Sequence, residues 1–467
     1  MSRGPSGPAR RAESGMKIVI VGGGSTHWTP RLLCDFANTP SLQDAHVVLM
    51  DVHEPSLAPM LDVAAHISKC RPEIGLSVTG TTDLDAALDG AEFVITAFSV
   101  GGFDSMRFDL EIPAKYGIDQ TVGDSVGPGG ISRAMRSVPV LLEIARAVEH
   151  RAPDAWLLNV TNPLSALTRS VSRETNVRTV GLCNEMVGCK FVISLLLDAD
   201  LRAIDPVVAG VNHLPLVTEM PIRSRDGDRD GFAELRDLLD DEDKQREPVW
   251  MAPMEAMHYT KVSEGPEWTK ADVIAGNAVK LELFRQFGVL PGSHDVHVVE
   301  FFAALHKTDI FHYRLDGHMR DKQHDDDHVA EILASDELTS FPSGELVAEL
   351  IDSLITNTAL PIPVNLPNRG QVQNLPDDVI VECIGRAADG DVVPRDTAFV
   401  PSVLGEQLRR VAAAEELTVE AALTGDRTKV LEAMLADPVA GSLPYADVTT
   451  MTDELLAATS KWLPQFS

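Results

Sequence analysis

Five apolar residues and one lysine, MKIVIV (16–21), run directly into GGGSTH (22–27), and this junction limits the possible folds more than any other feature of the chain. A strand with no polar alternation is buried on both faces, as in a parallel sheet covered by helices. Glycines placed immediately after such a strand let the backbone turn tightly and approach a pyrophosphate, which then rests on the N-terminus of the next helix. Gly22 and Gly24 take the first two glycine places, with Ser25 and Thr26 beside them, while His27 stands at the third. The next apolar run, HVVLMD (46–51), ends in Asp51. A carboxylate there can accept the ribose 2′-hydroxyl and repels a 2′-phosphate, so NAD is expected rather than NADP. A solvated acid at a strand end is the alternative for Asp51.

The series continues through LSVTGT (76–81), EFVITAF (92–98), AWLLNV (155–160) and VRTVGL (177–182), with helical stretches between. Alternation of this kind predicts an α/β fold, with a Rossmann-type NAD-binding domain over 16–190 after a disordered tail at 1–15. From 191 to 467 the pattern is mainly helical and predicts a C-terminal α+β domain for substrate, metal and oligomerisation. Within it RSRDGDRDG (223–231) reads as a charged turn and FAELRDLLDDEDKQRE (232–247) as a solvated helix. DGHMRDKQHDDDHVAEIL (316–333) mixes His with acids and reads as a solvated loop and helix start rather than a metal site. Residues 403–437 are Ala/Leu-rich and amphipathic, suited to packing on the domain or to a subunit interface.

A net charge of −30 repels phosphate backbones and anionic lipid, so neither nucleic acid nor membrane is an expected partner. No apolar run approaches the roughly 20 residues that span a bilayer. Five scattered cysteines, an odd number, suit a reducing cytoplasm better than a disulfide framework. One of them raises a question. Cys183 closes the VRTVGL strand at its carboxyl end, where open α/β sheets bind their ligands. A small buried hydrophobe is the ordinary explanation for a free cysteine. His213, in VAGVNHL (208–214), supplies a second donor, and a thiolate with an imidazole can hold a divalent metal.

The order of motifs resembles glycoside hydrolase family 4, the NAD-dependent glycosidases, along most of the chain. The stretches that carry the resemblance are VGGGSTHWTPRL (21–32), SVGGFDSMRFDLEIPAKYGI (99–118), TVGDSVGPGGISRAMRSVPV (121–140), NVTNP (159–163), GLCN (181–184) and GVNH (210–213). FGVLPGSHDVHVVEFF (287–302) and NLPNRGQVQNLPDDVIVE (365–382) extend it into the second half. The family departs from the two-carboxylate scheme of glycoside cleavage. The resemblance implies oxidation at sugar C3, deprotonation at C2, elimination of the aglycone, addition of water and return of the hydride, without net redox. It also implies NAD and Mn²⁺ as cofactors, Cys183 and His213 as metal ligands, and a two-domain fold of the lactate/malate dehydrogenase type.

Further roles follow from the same resemblance. Asn159 would approach the cofactor, and Arg107, Asn162, Asn184 and His297 the substrate, while Asp124 and Tyr259 would be catalytic. Tyr259, with Lys261 near it, is the expected C2 base, since a neighbouring cation depresses a phenol pKa. Turn-forming roles for Asn159 and Asn162, a structural Arg107–Asp109 pair and a packed Tyr259 are the plainer alternatives. The glycine-rich form around Asp124 is similar to the α-galactosidase and α-glucosidase branches, whereas Asn184 after the cysteine is similar to phospho-β-glucosidases. The expected substrate is an unphosphorylated α-hexoside or a hexuronide. A 6-phospho-glycosidase, or an NAD-linked sugar or hydroxy-acid dehydrogenase, is the alternative. The expected assembly is a homodimer or homotetramer in the cytoplasm.

Overall fold

The computed structural model of the protein describes residues 15–249, 268–305, 314–335 and 343–466. Its first six strands are β1 (Lys17–Val21), β2 (His46–Met50), β3 (Ser77–Thr81), β4 (Phe93–Thr96), β5 (Trp156–Asn159) and β6 (Arg178–Gly181). They pair in parallel in the order β3-β2-β1-β4-β5-β6, within a residue or two of the expected runs. Their register brings Met50, Val21, Thr96, Asn159 and Gly181 into one row at the carboxyl ends. Both faces of the sheet are covered, which is why the first strand is apolar after Lys17. Val19 and Val21 enter one core and Ile18 and Ile20 the other. Each such side chain contributes about 1.5–3 kcal/mol through burial.

The helices of this half are α1 (Trp28–Asn38), α2 (Glu54–Cys70), α3 (Leu84–Leu88), α4 (Gly102–Ala114), α5 (Gly127–Arg151), α6 (Leu164–Glu174) and α7 (Glu185–Leu197). Beyond it lie α8 (Gly231–Asp240), α9 (Glu242–Gln245), α10 (Lys270–Ala275), α11 (Ala278–Phe287), α12 (Asp295–Val298), α13 (Arg314–Ala334), α14 (Val347–Thr356), α15 (Ser402–Thr424), α16 (Arg427–Ala436) and α17 (Tyr445–Thr459). α15 packs against α5, α6 and α16, so the amphipathic C-terminal stretch lies on the first half of the chain.

The second half carries more strand than its composition suggests. β7 (Val207–Val211), β8 (Leu214–Glu219), β9 (Pro221–Ile222), β10 (Arg229–Asp230), β11 (Leu290–Pro291), β12 (Ile362–Pro367), β13 (Ile380–Ala388) and β14 (Asp391–Pro394) all come from it. Except for the β9–β10 ribbon, they extend the parallel sheet on the β6 side, giving twelve strands in a single mixed sheet. VVAGV and IPVNLP contain Gly and Pro and are mostly buried, so they lack the alternation that marks a half-exposed strand. Pairing places Gly181, Asn365, Glu382 and Gly210 in one row across β6, β12, β13 and β7. Cys183 lies just past Gly181 and His213 just past Gly210.

Two local expectations are corrected. Residues 316–333 are not part loop but continuous helix within α13. Polar anchors fasten this helix to the glycine-rich turn: Lys322 donates to Thr26 Oγ1 at 3.0 Å, and Asp325 meets both His27 and Arg31. The acidic run 232–247 breaks at Asp241, whose carboxylate caps α9 by accepting from Asp243 N–H and Lys244 N–H. Among the described residues no helix is long and apolar enough to cross a membrane.

Candidate active site and metal centre

The turn after β1 is built as its glycines require. Gly22 adopts φ +94, and a Cβ there would lie 2.1 Å from the Ala97 carbonyl oxygen. Gly22 N–H and Gly23 N–H both donate to the Met50 carbonyl at 2.9 Å, which ties the turn to the end of β2. Asp51 follows on that strand end. One of its oxygens accepts from Gly24 N–H at 3.0 Å and the other from His53 N–H at 2.9 Å. Each keeps a lone pair, so the carboxylate remains able to accept a ribose hydroxyl. Ser25 Oγ accepts from Trp28 N–H at the start of α1. Thr26 is joined to Lys322 of α13.

The second centre forms around His213. This residue sits in the two-residue turn between β7 and β8 at φ +64, a left-handed conformation that costs a non-glycine residue about 1–3 kcal/mol and is found mostly where a side chain must be aimed. His213 Nδ1 lies 2.5 Å from Ser125 Oγ and 3.6 Å from Asp124 Oδ1, and its ring stacks on His297 with centroids 3.8 Å apart. Burial would lower the His213 pKa, but the charge of Cys183, together with bonds to Asp124 and Cys183, holds it well above the usual value. Burial pushes the Cys183 thiol up, against the pull of His213. Burial would also raise Asp124, yet His213, His297 and Arg133 outweigh it and hold this carboxyl below its ordinary range. Burial and the charge of His213 push His297 down to about 4, so it is a neutral imidazole at pH 7.

One ligand atom each from Asp124, His213 and His297 can be chosen so that all lie within 4.8 Å of one another. Cys183 stands outside this trio but bears on His213 through its charge and a side-chain bond. Asp124 accepts from Ser125 Oγ at 2.7 Å and from Asn162 Nδ2 at 2.9 Å, which brings the NVTNP turn into the same cluster.

The other expected site residues lie at varying removes. Asn159 is fully buried: its Oδ1 accepts from Thr96 Oγ1 and Thr161 N–H, and its Nδ2 donates to the Thr161 carbonyl and Thr168 Oγ1. Asn184 is exposed beside Cys183 and donates to Glu345 at 3.3 Å. Arg107 is half exposed, 4.0 Å from Glu111 on its own helix. The alternative Arg107–Asp109 pair does not form. Residues two apart on a helix do not face one another, and Asp109 instead meets Arg136 of α5. Tyr259 and Lys261 lie outside the described residues.

Several members of the cluster had no definite role from sequence: Glu185 stands beside Cys183, and Glu300, with His297 in HVVEFF, fits either substrate binding or structural support. Glu185 accepts from His294 N–H at 2.5 Å and lies 2.9 Å from His294 Nδ1, with His297 Nε2 3.8 Å away. Burial would raise Glu185, but His294, His297 and His213 hold it well below its usual value. Glu300 accepts from Val122 N–H and Gly123 N–H at 2.7 and 2.9 Å, bracing the loop before Asp124, while burial pushes its pKa up to about 8. Glu382 lies beneath, buried to 0% exposure, and accepts from Asn212 Nδ2 and Asn365 Nδ2. His294, Glu300 and Glu382 stood within quoted motifs; only the fold shows what they touch.

Comparison with known proteins returns one family twice. Residues 17–199 match the model of the family 4 glycosyl hydrolases, and residues 208–440 match that of the family 4 glycosyl hydrolase C-terminal domain. The chain is 28% identical to an α-galactosidase of Bacillus subtilis, covering 96% of this chain and 99% of that protein. It is also 28% identical to an α-galacturonidase of Lachnoclostridium phytofermentans, covering 97% of each. In structure it is similar to the 6-phospho-β-glucosidase of Thermotoga maritima solved with manganese, NAD⁺ and glucose-6-phosphate (TM-score 0.75, 21% identity, 96% and 99% of the two chains). A malate dehydrogenase from Plasmodium falciparum shares the fold alone (TM-score 0.51, 10% identity, 87% and 98% covered).

Proposed function

The chain belongs to glycosyl hydrolase family 4, and from that premise we propose that it hydrolyses the O-glycosidic bond of an unphosphorylated α-hexoside or hexuronide with NAD and Mn²⁺. The observation that carries this reading is the convergence on His213 of Cys183, Asp124 and His297, next to the carboxyl ends of a Rossmann sheet. These residues fit a divalent transition metal. The set mixes thiolate, imidazole and carboxylate donors, and the buried His297 Nδ1 has no hydrogen-bond partner among the described residues. The glycine turn fits a dinucleotide, since a Cβ at Gly22, Gly23 or Gly24 would meet neighbouring atoms at under 3.0 Å. Bound there, NAD supplies a hydride acceptor and donor and the metal a Lewis acid.

The protein's own groups do the rest. Cys183 and His213 hold the metal, with Asp124 or His297 able to complete the set. Ser125 fixes the His213 ring through Nδ1. Asp124, kept ionised, serves as a ligand or proton acceptor rather than a proton donor, and Asn162 orients it. Asp51 would take the ribose, Gly22, Gly24, Ser25 and Thr26 would frame the pyrophosphate, and Asn159, bonded to Thr96 and Thr161, would stiffen the wall of the cofactor site. Tyr259 is the proposed C2 base, and Arg107, Asn184 and His297 are proposed to contact substrate. The five cysteines are free thiols, in keeping with a cytoplasmic enzyme, and exposed Phe399, Val403 and Tyr445 offer apolar surface for a homodimer or homotetramer.

A panel of nitrophenyl glycosides, plain and 6-phosphorylated, assayed with NAD⁺, Mn²⁺ and thiol tests the reading. Release of nitrophenol that requires both cofactors, without accumulation of NADH, is expected. Stoichiometric NADH would make the protein a dehydrogenase instead.

A further inference from the structure

The glycine-rich turn has two backbone donors to spare. Gly22 N–H and Gly23 N–H are taken by the Met50 carbonyl, Gly24 N–H by Asp51, and Ser25 N–H by the Gly22 carbonyl. Trp28 N–H goes to Ser25 Oγ and Thr29 N–H to the Ser25 carbonyl. Thr26 N–H and His27 N–H have no hydrogen-bond partner among the described residues. They stand side by side just ahead of α1, where the open N–H groups and the dipole of a helix favour an anion. The cation that reaches this point comes from the other half of the chain. Lys322 of α13 donates from Nζ to Thr26 Oγ1 at 3.0 Å.

Arg31 and His27, the other basic groups of this corner, both meet Asp325, and Arg31 also donates to the His27 carbonyl. Lys322 has as its own acid Asp326, one turn further along α13, and the two side chains are 44% and 45% exposed. A solvated pair of this spacing is weak, so the ammonium can turn to a phosphate without leaving a buried charge behind. We propose that Lys322 binds the pyrophosphate of the dinucleotide, completing an anion site with Thr26 N–H and His27 N–H and making α13 a cover for the cofactor turn. This rests on the dinucleotide reading of the turn and adds a cationic ligand to it. The chemistry asks for one. A pyrophosphate is doubly charged, the turn itself offers only neutral donors, and the chain carries a net charge of −30. An ammonium is a compact point charge that serves phosphate well. Asp325 helps to aim it. Three positions from Lys322 on the same face of α13, it pins the helix to His27 and Arg31 and so holds the ammonium over Thr26.

Calorimetric titration of the full chain with NAD⁺, ADP and adenosine tests this in wild type, Lys322→Met and Lys322→Arg. Lys322→Met is expected to weaken NAD⁺ and ADP by about 10-fold or more, the scale of a lost charge-assisted hydrogen bond, and adenosine by less than about 2-fold. Lys322→Arg, which keeps the charge, should bind NAD⁺ within about 3-fold of wild type. Added salt should weaken NAD⁺ binding more steeply in wild type than in Lys322→Met, since only wild type has this ion pair to screen. Unchanged NAD⁺ affinity in Lys322→Met would overturn the proposal. Equal losses for NAD⁺, ADP and adenosine would do so too, because Lys322 would then serve only to seat α13. A wild type that binds none of the three would instead overturn the dinucleotide reading itself.

Discussion

Replacing Asp109 by Asn should destabilise the protein by an amount that the surroundings of Arg136 set. The two side chains are 1% and 0% exposed, so neither charge has access to water. Asp109 joins α4 to α5 through two bonds, one of them Nη1 to Oδ1 at 3.0 Å. Asparagine keeps the volume but removes the negative charge, and its NH₂ cannot accept. Breaking a buried pair from one side in this way costs about 3–5 kcal/mol, because the surviving charge is left uncompensated. With about 2 °C lost per kcal/mol in a large domain, the melting temperature should fall by about 6–10 °C. Thermal unfolding followed by circular dichroism measures it. A companion variant, Asp109→Leu with Arg136→Met, removes both charges at similar volume and should recover most of the loss. An Asp109→Asn protein that melts within about 2 °C of wild type would refute the reasoning. So would a double variant less stable than the single one, since packing rather than charge would then dominate.

Cys183→Ser and His213→Ala should each weaken Mn²⁺ binding by about 100-fold or more while the far-ultraviolet spectrum stays native; titration followed by the electron paramagnetic resonance of free Mn²⁺ reads this, and wild-type affinity in both variants would end the assignment. Gly22→Ala must place a methyl 2.1 Å from a carbonyl oxygen at φ +94, so the turn has to move and NAD affinity should drop by about 10-fold or more, measured by the quenching of protein fluorescence. Hydrolysis in D₂O should place deuterium at C2 of the released sugar while C3 keeps its hydrogen, because elimination must break the bond between C2 and its hydrogen; nuclear magnetic resonance of the product shows which carbon exchanged, and protium retained at C2 would count against elimination.

Much of the nucleotide half could be read along the chain, for a simple physical reason. A strand buried on both faces must be apolar along its buried length, and a turn with φ near +94 must be glycine, so MKIVIV–GGG states its structure locally. The same holds for Asp51, which stands at a strand end whatever lies around it. Cys183 and His213 were legible as donors because each closes or follows a strand in a motif that resembles a known family. The short strands of the second half were not, since VVAGV and IPVNLP are buried within a mixed sheet and show no alternation. α13, charged along its length, could not announce that its anchors are Thr26, His27 and Arg31, nearly 300 positions earlier.

The amino-acid order by itself determined the parallel sheet, the glycine turn and the types of ligand atom available, because these depend on side-chain period and backbone sterics within a few residues. Tertiary structure alone decided which groups meet. Asp109 stands two residues from Arg107, but the pitch of α4 turns them apart, and the packing of α5 presents Arg136 instead. Asp124, His213 and His297 come from three distant stretches and converge only because β7 and β8 fold back at a two-residue turn beside the start of α5. A fold pairs such groups through space rather than along the backbone.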